Sequence, residues 1–391
     1  MHSVAPYLTS PSGAGLLGSR SNPRNCSLPG LPALSRRHLL TRLAAATLGV
    51  TASPVLFGQE PQRSNERSGL ELVTPEAKSA ITRGLSALAR RQITQGEFKG
   101  AFGTGGYAGG VAVCGLAGLA FLASGSAPGR GPYGKALERC IDYLVRNTDS
   151  NGYISAQAVG GQDRMYGHGF ATLFLAEAYG MSVRSDQNDR LGDKLKAAVK
   201  LIISTQNDQG GWRYQPVKSD ADLSITICQI MALRAARDAG LHVPNETRAR
   251  CIDYVKKSHG ADGSFSYTLN QGSRGGSFAL AAAGIVALNS AGIYDGKEVE
   301  SALTFCWRQK PTGAINGGYF FYSHYYAAQA MWHAGGTYWS GWYPAIRDLL
   351  VRNQSGAGTW NDPGAGEELG TAMGLIILQL PYNYVPVFGE G

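Results

Sequence analysis

Apolar residues recur at helical spacing along most of the chain, in segments of two alternating kinds. Segments of the first kind have one apolar face; Thr74 and Pro75 form a typical helix start, and Ile81, Leu85 and Leu88 then recur on one side. Segments of the second kind are apolar nearly all round and must be covered on several sides. Six of these are predicted as helices: 111–123, 168–179, 223–236, 277–291, 324–333 and 368–380. The alternation predicts an outer and an inner ring of helices.

A turn with glycine and an aromatic residue separates the two kinds of segment in six repeats. The aromatic residues are Phe98, Tyr153, Trp212, Phe265, Tyr319 and Trp360. Glycine permits a tight turn at a helix end, and an aromatic ring can pack between neighbouring hairpins, so we interpret all six as structural. Six hairpins could form an open superhelix, but the last segment is too apolar for an exposed end. We therefore predict an all-α fold, an α/α toroid closed as a double barrel of about six helical hairpins.

Composition narrows the class of protein. The chain has 391 residues, 53 of them glycine, and its 43% of hydrophobic residues is ordinary for a globular protein. The formal net charge is +8, and residues 1–59 contribute five arginines and no acid, which leaves 8 − 5 = +3 for the remainder. This charge is too small to indicate nucleic-acid binding. The scattered cysteines are predicted to be buried free thiols: Cys114, Cys140, Cys228, Cys251 and Cys306.

Residues 1–66 are predicted to be an export signal with a disordered leader, and residues 67–391 a single domain. Arg36 and Arg37 precede a mostly apolar run at 43–57, the pattern of a twin-arginine signal. A short membrane anchor is the alternative, although the run is shorter than the roughly 20 residues that a span needs. We expect no transmembrane span in the mature chain. The expected location is the periplasm or cell envelope.

Three repeats carry a fuller motif. Gln206 to Trp212 (QNDQGGW) and Gln354 to Trp360 (QSGAGTW) fit the pattern Q-x-x-x-G-x-W, and Gln92 to Phe98 fits it with Phe for Trp. This motif resembles the repeat of the squalene cyclase and protein prenyltransferase β-subunit superfamily, over about residues 70–385 of this chain. The resemblance implies an α/α toroid that binds an apolar or isoprenoid-like small molecule in a central cavity. It leaves open whether the ligand is transformed.

Polar residues before the inner segments are expected to meet at one mouth of the barrel. The run Asp220-Ala221-Asp222-Leu223 resembles the D-x-D-D acid motif of class II terpene cyclases, with Leu223 in place of the last Asp, which implies that Asp222 protonates an alkene or epoxide. The alternative is that Asp222 N-caps the next helix. The candidate catalytic residues are Asp222, Asp220 and His168, the last as a general base. The candidate ligand-binding residues are Tyr166, Arg274, Tyr322, His324, Tyr325 and Glu368.

No metal and no cofactor are predicted. Ser224 occupies the position where the prenyltransferase zinc site of the resembling family has a cysteine, and the chain has no nucleophile elbow or phosphate-binding loop. Any protein partner stays open. One alternative function is a glycan lyase or hydrolase, in which Asp222 and Glu368 would be the general acid and base. Another is a noncatalytic scaffold protein.

Overall fold

The computed structural model describes residues 69–103, 108–156, 164–271, 276–315 and 319–389. The predicted leader and Arg274 lie outside these ranges, so the boundary at residue 66 stays a prediction. Across the described part of the chain, no helix is both long enough and apolar enough to cross a membrane.

Twelve α-helices and no β-strand are found in the described ranges, which confirms the all-α prediction. The Thr74 side chain accepts a hydrogen bond from the N–H of Ala77 at 3.2 Å, so the first helix begins at the predicted cap. In chain order the helices are α1 (Pro75–Arg90), α2 (Val111–Ala123), α3 (Gly134–Arg146), α4 (Arg164–Ala178), α5 (Ser185–Thr205), α6 (Leu223–Asp238), α7 (Asn245–Lys257), α8 (Phe278–Ser290), α9 (Lys297–Trp307), α10 (Phe320–Ala334), α11 (Gly336–Arg352) and α12 (Gly366–Gln379).

The even-numbered helices form the inner ring, and the odd-numbered helices cover it. Each inner helix packs against the next, from α2 through α4, α6, α8 and α10 to α12. Glycines on α2 allow a close approach to α4, because a Cβ at Gly118 would lie 2.4 Å from the ring of Phe174. The two kinds of sequence segment thus correspond to the two layers.

The ring is closed, as the apolar last segment predicted. Helix α12 packs against both α1 and α2, and α1 packs against α11. The Gln354 side-chain amide donates a hydrogen bond to the carbonyl of Ala80 at 2.9 Å, and Gln379 donates to the carbonyl of Ala120 at 3.1 Å. These bonds join the end of the helical sequence to its beginning.

The repeat motif has a clear structural role in the third hairpin. The Gln206 amide donates to the carbonyl of Gly210 in its own turn at 2.8 Å and to the carbonyl of Thr247 in the next outer helix at 2.9 Å. The Trp212 indole donates to the carbonyl of Ile202 at 2.7 Å. The side-chain amides of two other motif glutamines donate equivalent pairs of hydrogen bonds to backbone carbonyls. Gln92 donates to Gly100 and Ala136, and Gln354 donates to Gly358 and Ala80. In the three repeats that carry it, the motif therefore fastens the turn to the neighbouring hairpin.

The interpretation of all six repeat aromatics as packing residues is wrong for Tyr319. Trp212, Phe265 and Trp360 are buried, but Tyr319 is 75% exposed. Phe98 and Tyr153 are partly buried and pack against the core. The prediction that the five cysteines are buried thiols is confirmed.

Candidate functional site

A cavity of about 580 Å³ lies at the N-terminal ends of the inner helices. Residues from the first turns of all six inner helices line it, so these helices do begin at the same end of the barrel. Most of the lining is apolar. The larger apolar side chains are Val113, Leu116, Phe170, Leu280, Leu369 and Met373. A cavity of this size and character is typical of small-molecule sites.

Seven of the described residues that line the cavity have hydroxyl groups, including Ser277 and Tyr319. The other five are hereafter the polar wall: Tyr166, Tyr214, Ser224, Tyr267 and Tyr322. The Tyr166 hydroxyl is hydrogen-bonded to the Ser224 hydroxyl, and the hydroxyls of Tyr214 and Tyr267 are bonded to each other. Tyr322 donates to the backbone carbonyl of Ser224 at 3.3 Å. Burial raises the pKa of Tyr166 and of Tyr267 well above the ordinary range, so both hydroxyls are neutral.

Asp222 lies behind the polar wall and does not line the cavity. Its Oδ1 accepts hydrogen bonds from the Ser224 hydroxyl at 2.5 Å and from the N–H of Ile225 at 2.9 Å, so it N-caps α6. Burial raises the pKa of Asp222, while these bonds and the nearby Arg213 act in the opposite direction. The side chain therefore orients Ser224, and its predicted catalytic role stays a prediction.

Arg213 connects Asp222 to the tyrosines of the polar wall. Its Nε is 3.6 Å from Asp222 Oδ2, and its guanidinium lies 5.2 Å from the ring centre of Tyr214 and 5.8 Å from that of Tyr267. Asp220 forms an ion pair with Arg213, but its side chain is 62% exposed and does not line the cavity. The two predicted acids thus differ sharply in environment.

His168, the third predicted catalytic residue, is buried away from the cavity. Its Nδ1 accepts a hydrogen bond from the N–H of Ile154 at 3.1 Å, and its ring packs against Tyr153. Burial lowers the pKa of His168 to about 4, so the imidazole is neutral near pH 7. These contacts join the second repeat turn to α4.

The predicted ligand-binding residues are divided between the cavity and the core. Tyr166 and Tyr322 line the cavity, whereas His324, Tyr325 and Glu368 do not. Burial lowers the pKa of His324 to about 3. His324 packs against the rings of Phe278, Phe320 and Trp342. Tyr325 packs against the rings of Phe170, Tyr326 and Phe388. Glu368 forms an ion pair with Arg91, with 3.0 Å between Oε1 and the guanidinium nitrogen Nη1.

The polar residues of the cavity lining that sequence reasoning did not assign to the site include Ser224, Tyr214, Tyr267 and Asp362. A signal for the two tyrosines was present, because each follows a repeat aromatic, Trp212 or Phe265, by two positions. Asp362 Oδ1 accepts hydrogen bonds from two backbone N–H groups of its own turn, both at 2.9 Å. It is the one carboxylate among the described residues that line the cavity.

Comparisons with known proteins agree with this architecture. Residues 138–319 match the family model of the prenyltransferase alpha-alpha toroid domain. No curated protein sequence gives a significant match.

Three solved structures illustrate the fold similarity. An inactive variant of the α-1,6-mannanase GH76A of Salegentibacter sp. HEL1_6, in complex with α-1,6-mannotriose, is 11% identical with a TM-score of 0.53, covering 78% of this chain and 98% of the mannanase. A variant of type II terpene cyclase MstE from Scytonema, in complex with its product merosterolic acid A, is 13% identical with a TM-score of 0.52. The match covers 80% of this chain and 98% of the cyclase. Cellobiose 2-epimerase from Bacillus thermoamylovorans B4167 is 14% identical with a TM-score of 0.51, and the match covers 70% of this chain and 87% of the epimerase. At these identities the similarity concerns the fold. The chain thus has the α/α toroid fold, and its predicted resemblance to the squalene cyclase and prenyltransferase superfamily is confirmed.

Proposed function

We propose that this protein is exported and binds an apolar, isoprenoid-like alcohol in the cavity of its toroid. The observation that carries the proposal is the cavity of about 580 Å³, which is apolar over most of its surface and has hydroxyl groups in the polar wall. A hydrocarbon chain would be transferred from water to the apolar surface at a gain of about 25 cal/mol per Å² of area buried.

The hydrogen bonds of the polar wall favour a ligand that is a hydrogen-bond donor. The Ser224 hydroxyl donates a hydrogen bond to Asp222, so the Ser224 oxygen accepts a hydrogen bond from the Tyr166 hydroxyl. Tyr322 donates its proton to the Ser224 carbonyl. The oxygens of Tyr166 and Tyr322 therefore keep lone pairs for an incoming O–H group. Asp222 acts in this proposal as a positioning residue that fixes the direction of the Ser224 hydroxyl.

Binding is favoured over acid-initiated cyclisation by the position of Asp222. An acid that protonates a carbon–carbon double bond must touch it, and a general acid works within about 2.6–3.2 Å of its substrate. Ser224 and Tyr166 line the cavity, whereas Asp222 lies one hydrogen bond behind Ser224. We therefore assign Asp222 to the support of the polar wall.

A glycan-acting enzyme is the second candidate. It is supported by the tyrosine rings along the cavity, which suit stacking against sugar rings, and by the mannanase among the similar folds. Glycoside hydrolysis generally needs two carboxyl groups about 5–9.5 Å apart on either side of the scissile bond. Asp362 is one such group at the described cavity surface, and a second would have to come from elsewhere.

Native mass spectrometry of the exported protein, followed by calorimetric titration with farnesol and with α-1,6-mannotriose, tests these candidates. We expect farnesol to bind and Leu280→Trp, which fills the cavity from α8, to abolish binding. Leu70→Trp places the same ring at a half-exposed position that is not part of the cavity lining, and it should leave binding unchanged. Binding of mannotriose alone would favour the glycan enzyme, and binding of neither compound would favour a scaffold.

Export is tested separately by cell fractionation. Replacing both Arg36 and Arg37 by lysine should retain the folded protein in the cytoplasm, because the twin-arginine pathway requires the arginine pair. Arg42→Lys in the same segment is the matched control and should be exported normally. Equal export of both variants would contradict the assignment of residues 1–66 as an export signal.

A further inference from the structure

The end of the barrel opposite the cavity is covered by the segment 380–389, hereafter the closing segment. Two side chains near the C-terminal ends of inner helices bind its backbone. Glu177 of α4 accepts a hydrogen bond from the N–H of Val387 at 3.1 Å, and Arg234 of α6 donates to the carbonyl of Gly389 at 2.7 Å. The Arg234 side chain is 1% exposed, so its bond to Gly389 is well shielded from water.

Phe388 of the closing segment is buried and belongs to a column of three aromatic rings that leads to the cavity. Its ring centre is 6.1 Å from that of Tyr325, with the planes at 87°. Tyr325 in turn is 6.1 Å from Phe170, with the planes at 72°. Phe170 lines the cavity, so the column connects the closing segment to the cavity floor.

All three rings of the column are buried. Phe388 is 3% exposed and Tyr325 is fully buried. Protein interiors are close-packed, so removing a benzyl group leaves a void that neighbouring side chains partly fill. Tyr325 is the aromatic neighbour of Phe388, and its displacement toward the void would release Phe170 at the floor.

We propose that Phe388, acting through Tyr325 and Phe170, sets the depth of the cavity and therefore the length of the apolar ligand that it accepts. This inference rests on the proposed binding of an isoprenoid-like alcohol. A deeper cavity admits extra methylene and methyl groups, and a single methylene in an apolar pocket changes selectivity by roughly tenfold or more.

The test measures dissociation constants of the full-length protein for farnesol, with fifteen carbons, and geranylgeraniol, with twenty. In Phe388→Ala, we expect the ratio of the geranylgeraniol constant to the farnesol constant to fall by at least about tenfold relative to the unsubstituted protein. Val385→Ala is the matched control, because Val385 is equally buried in the closing segment and has no part in the ring column. It should keep the original ratio.

Phe388→Leu provides a variant that retains much of the buried volume, and it should give an intermediate ratio if Phe388→Ala does not fold. An unchanged ratio in a folded Phe388 variant, or an equal change in Val385→Ala, would overturn the role of Phe388 while leaving the proposed function intact. Failure of the unsubstituted protein to bind either alcohol would instead refute the proposed function.

Discussion

The third hairpin (α5 and α6) and the fifth hairpin (α9 and α10) have the same place in the repeat but differ in how their turns are fixed. In the third, Gln206 bonds to the next outer helix, Trp212 is buried and Asp222 caps α6. In the fifth, α10 begins after Tyr319 without a side-chain cap, and Tyr319 is 75% exposed at the edge of the cavity.

The comparison shows that the same repeat position can be buried between hairpins or exposed at the cavity. A buried aromatic residue in the turn fastens neighbouring hairpins, whereas an exposed one adds a ring to the cavity surface. The third hairpin supplies the support for Ser224 in the polar wall, and the fifth supplies a ring with little packing. The following experiments separate the two roles.

The largest expected difference is in the free energy of unfolding, between Trp212→Ala and Tyr319→Ala. Loss of the buried indole and of its bond to Ile202 should lower the free energy of unfolding by about 3–5 kcal/mol. Tyr319→Ala should change it by less than about 0.5 kcal/mol, because the side chain is mostly in water. Urea denaturation followed by circular dichroism measures both. Similar losses in the two variants would refute the division of roles.

Gln206→Ala removes the amide that joins the third hairpin to the fourth. Two backbone carbonyls, those of Gly210 and Thr247, then lose their partner in a buried region, which should cost about 1–3 kcal/mol. Gln209→Ala, three residues further along and exposed, is the control and should be close to neutral. Urea denaturation again gives the values, and a neutral Gln206→Ala would show that the motif glutamine does not stabilise the ring.

Asp222→Ala tests the cap of α6 and the support of Ser224 together. Loss of the cap should cost about 0.5–2 kcal/mol of unfolding free energy. Affinity for farnesol should fall as well, because the Ser224 hydroxyl is no longer directed by a carboxylate. Asp220→Ala removes a neighbouring exposed carboxylate and should leave both quantities nearly unchanged. Unaltered affinity in a folded Asp222→Ala variant would separate Asp222 from the binding site.

The sequence was sufficient for the fold because every inner helix is apolar nearly all round. Helix α2 begins and ends at the predicted residues, 111 and 123, and twelve of its thirteen residues are buried. Helix α10 begins at Phe320, four residues before the predicted start, since its first turn mixes tyrosine and serine with phenylalanine. Ring closure was also predictable, because an apolar α12 requires a partner.

The site was only partly predictable, because position at a helix start does not fix the direction of a side chain. Tyr166 and His168, and likewise Tyr322 and His324, are two residues apart, which places them on nearly opposite sides of a helix. The tyrosines line the cavity and the histidines face the packed layers. Phe170, four residues after Tyr166, lies on the cavity side as helical spacing requires.

The smallest expected effect is that of Tyr319→Ala on the affinity for farnesol. The ring lines the cavity but is mostly exposed, so it contributes less apolar contact than a fully buried ring would. We expect the dissociation constant for farnesol to rise by a few-fold, about 0.5–1 kcal/mol, while the free energy of unfolding is unchanged. Tyr319→Phe is the conservative control, and it should restore the affinity if the ring face makes the contact. Full affinity in Tyr319→Ala would mean that the fifth hairpin contributes only its helix to the site, and the contrast with the third hairpin would then be one of stability alone.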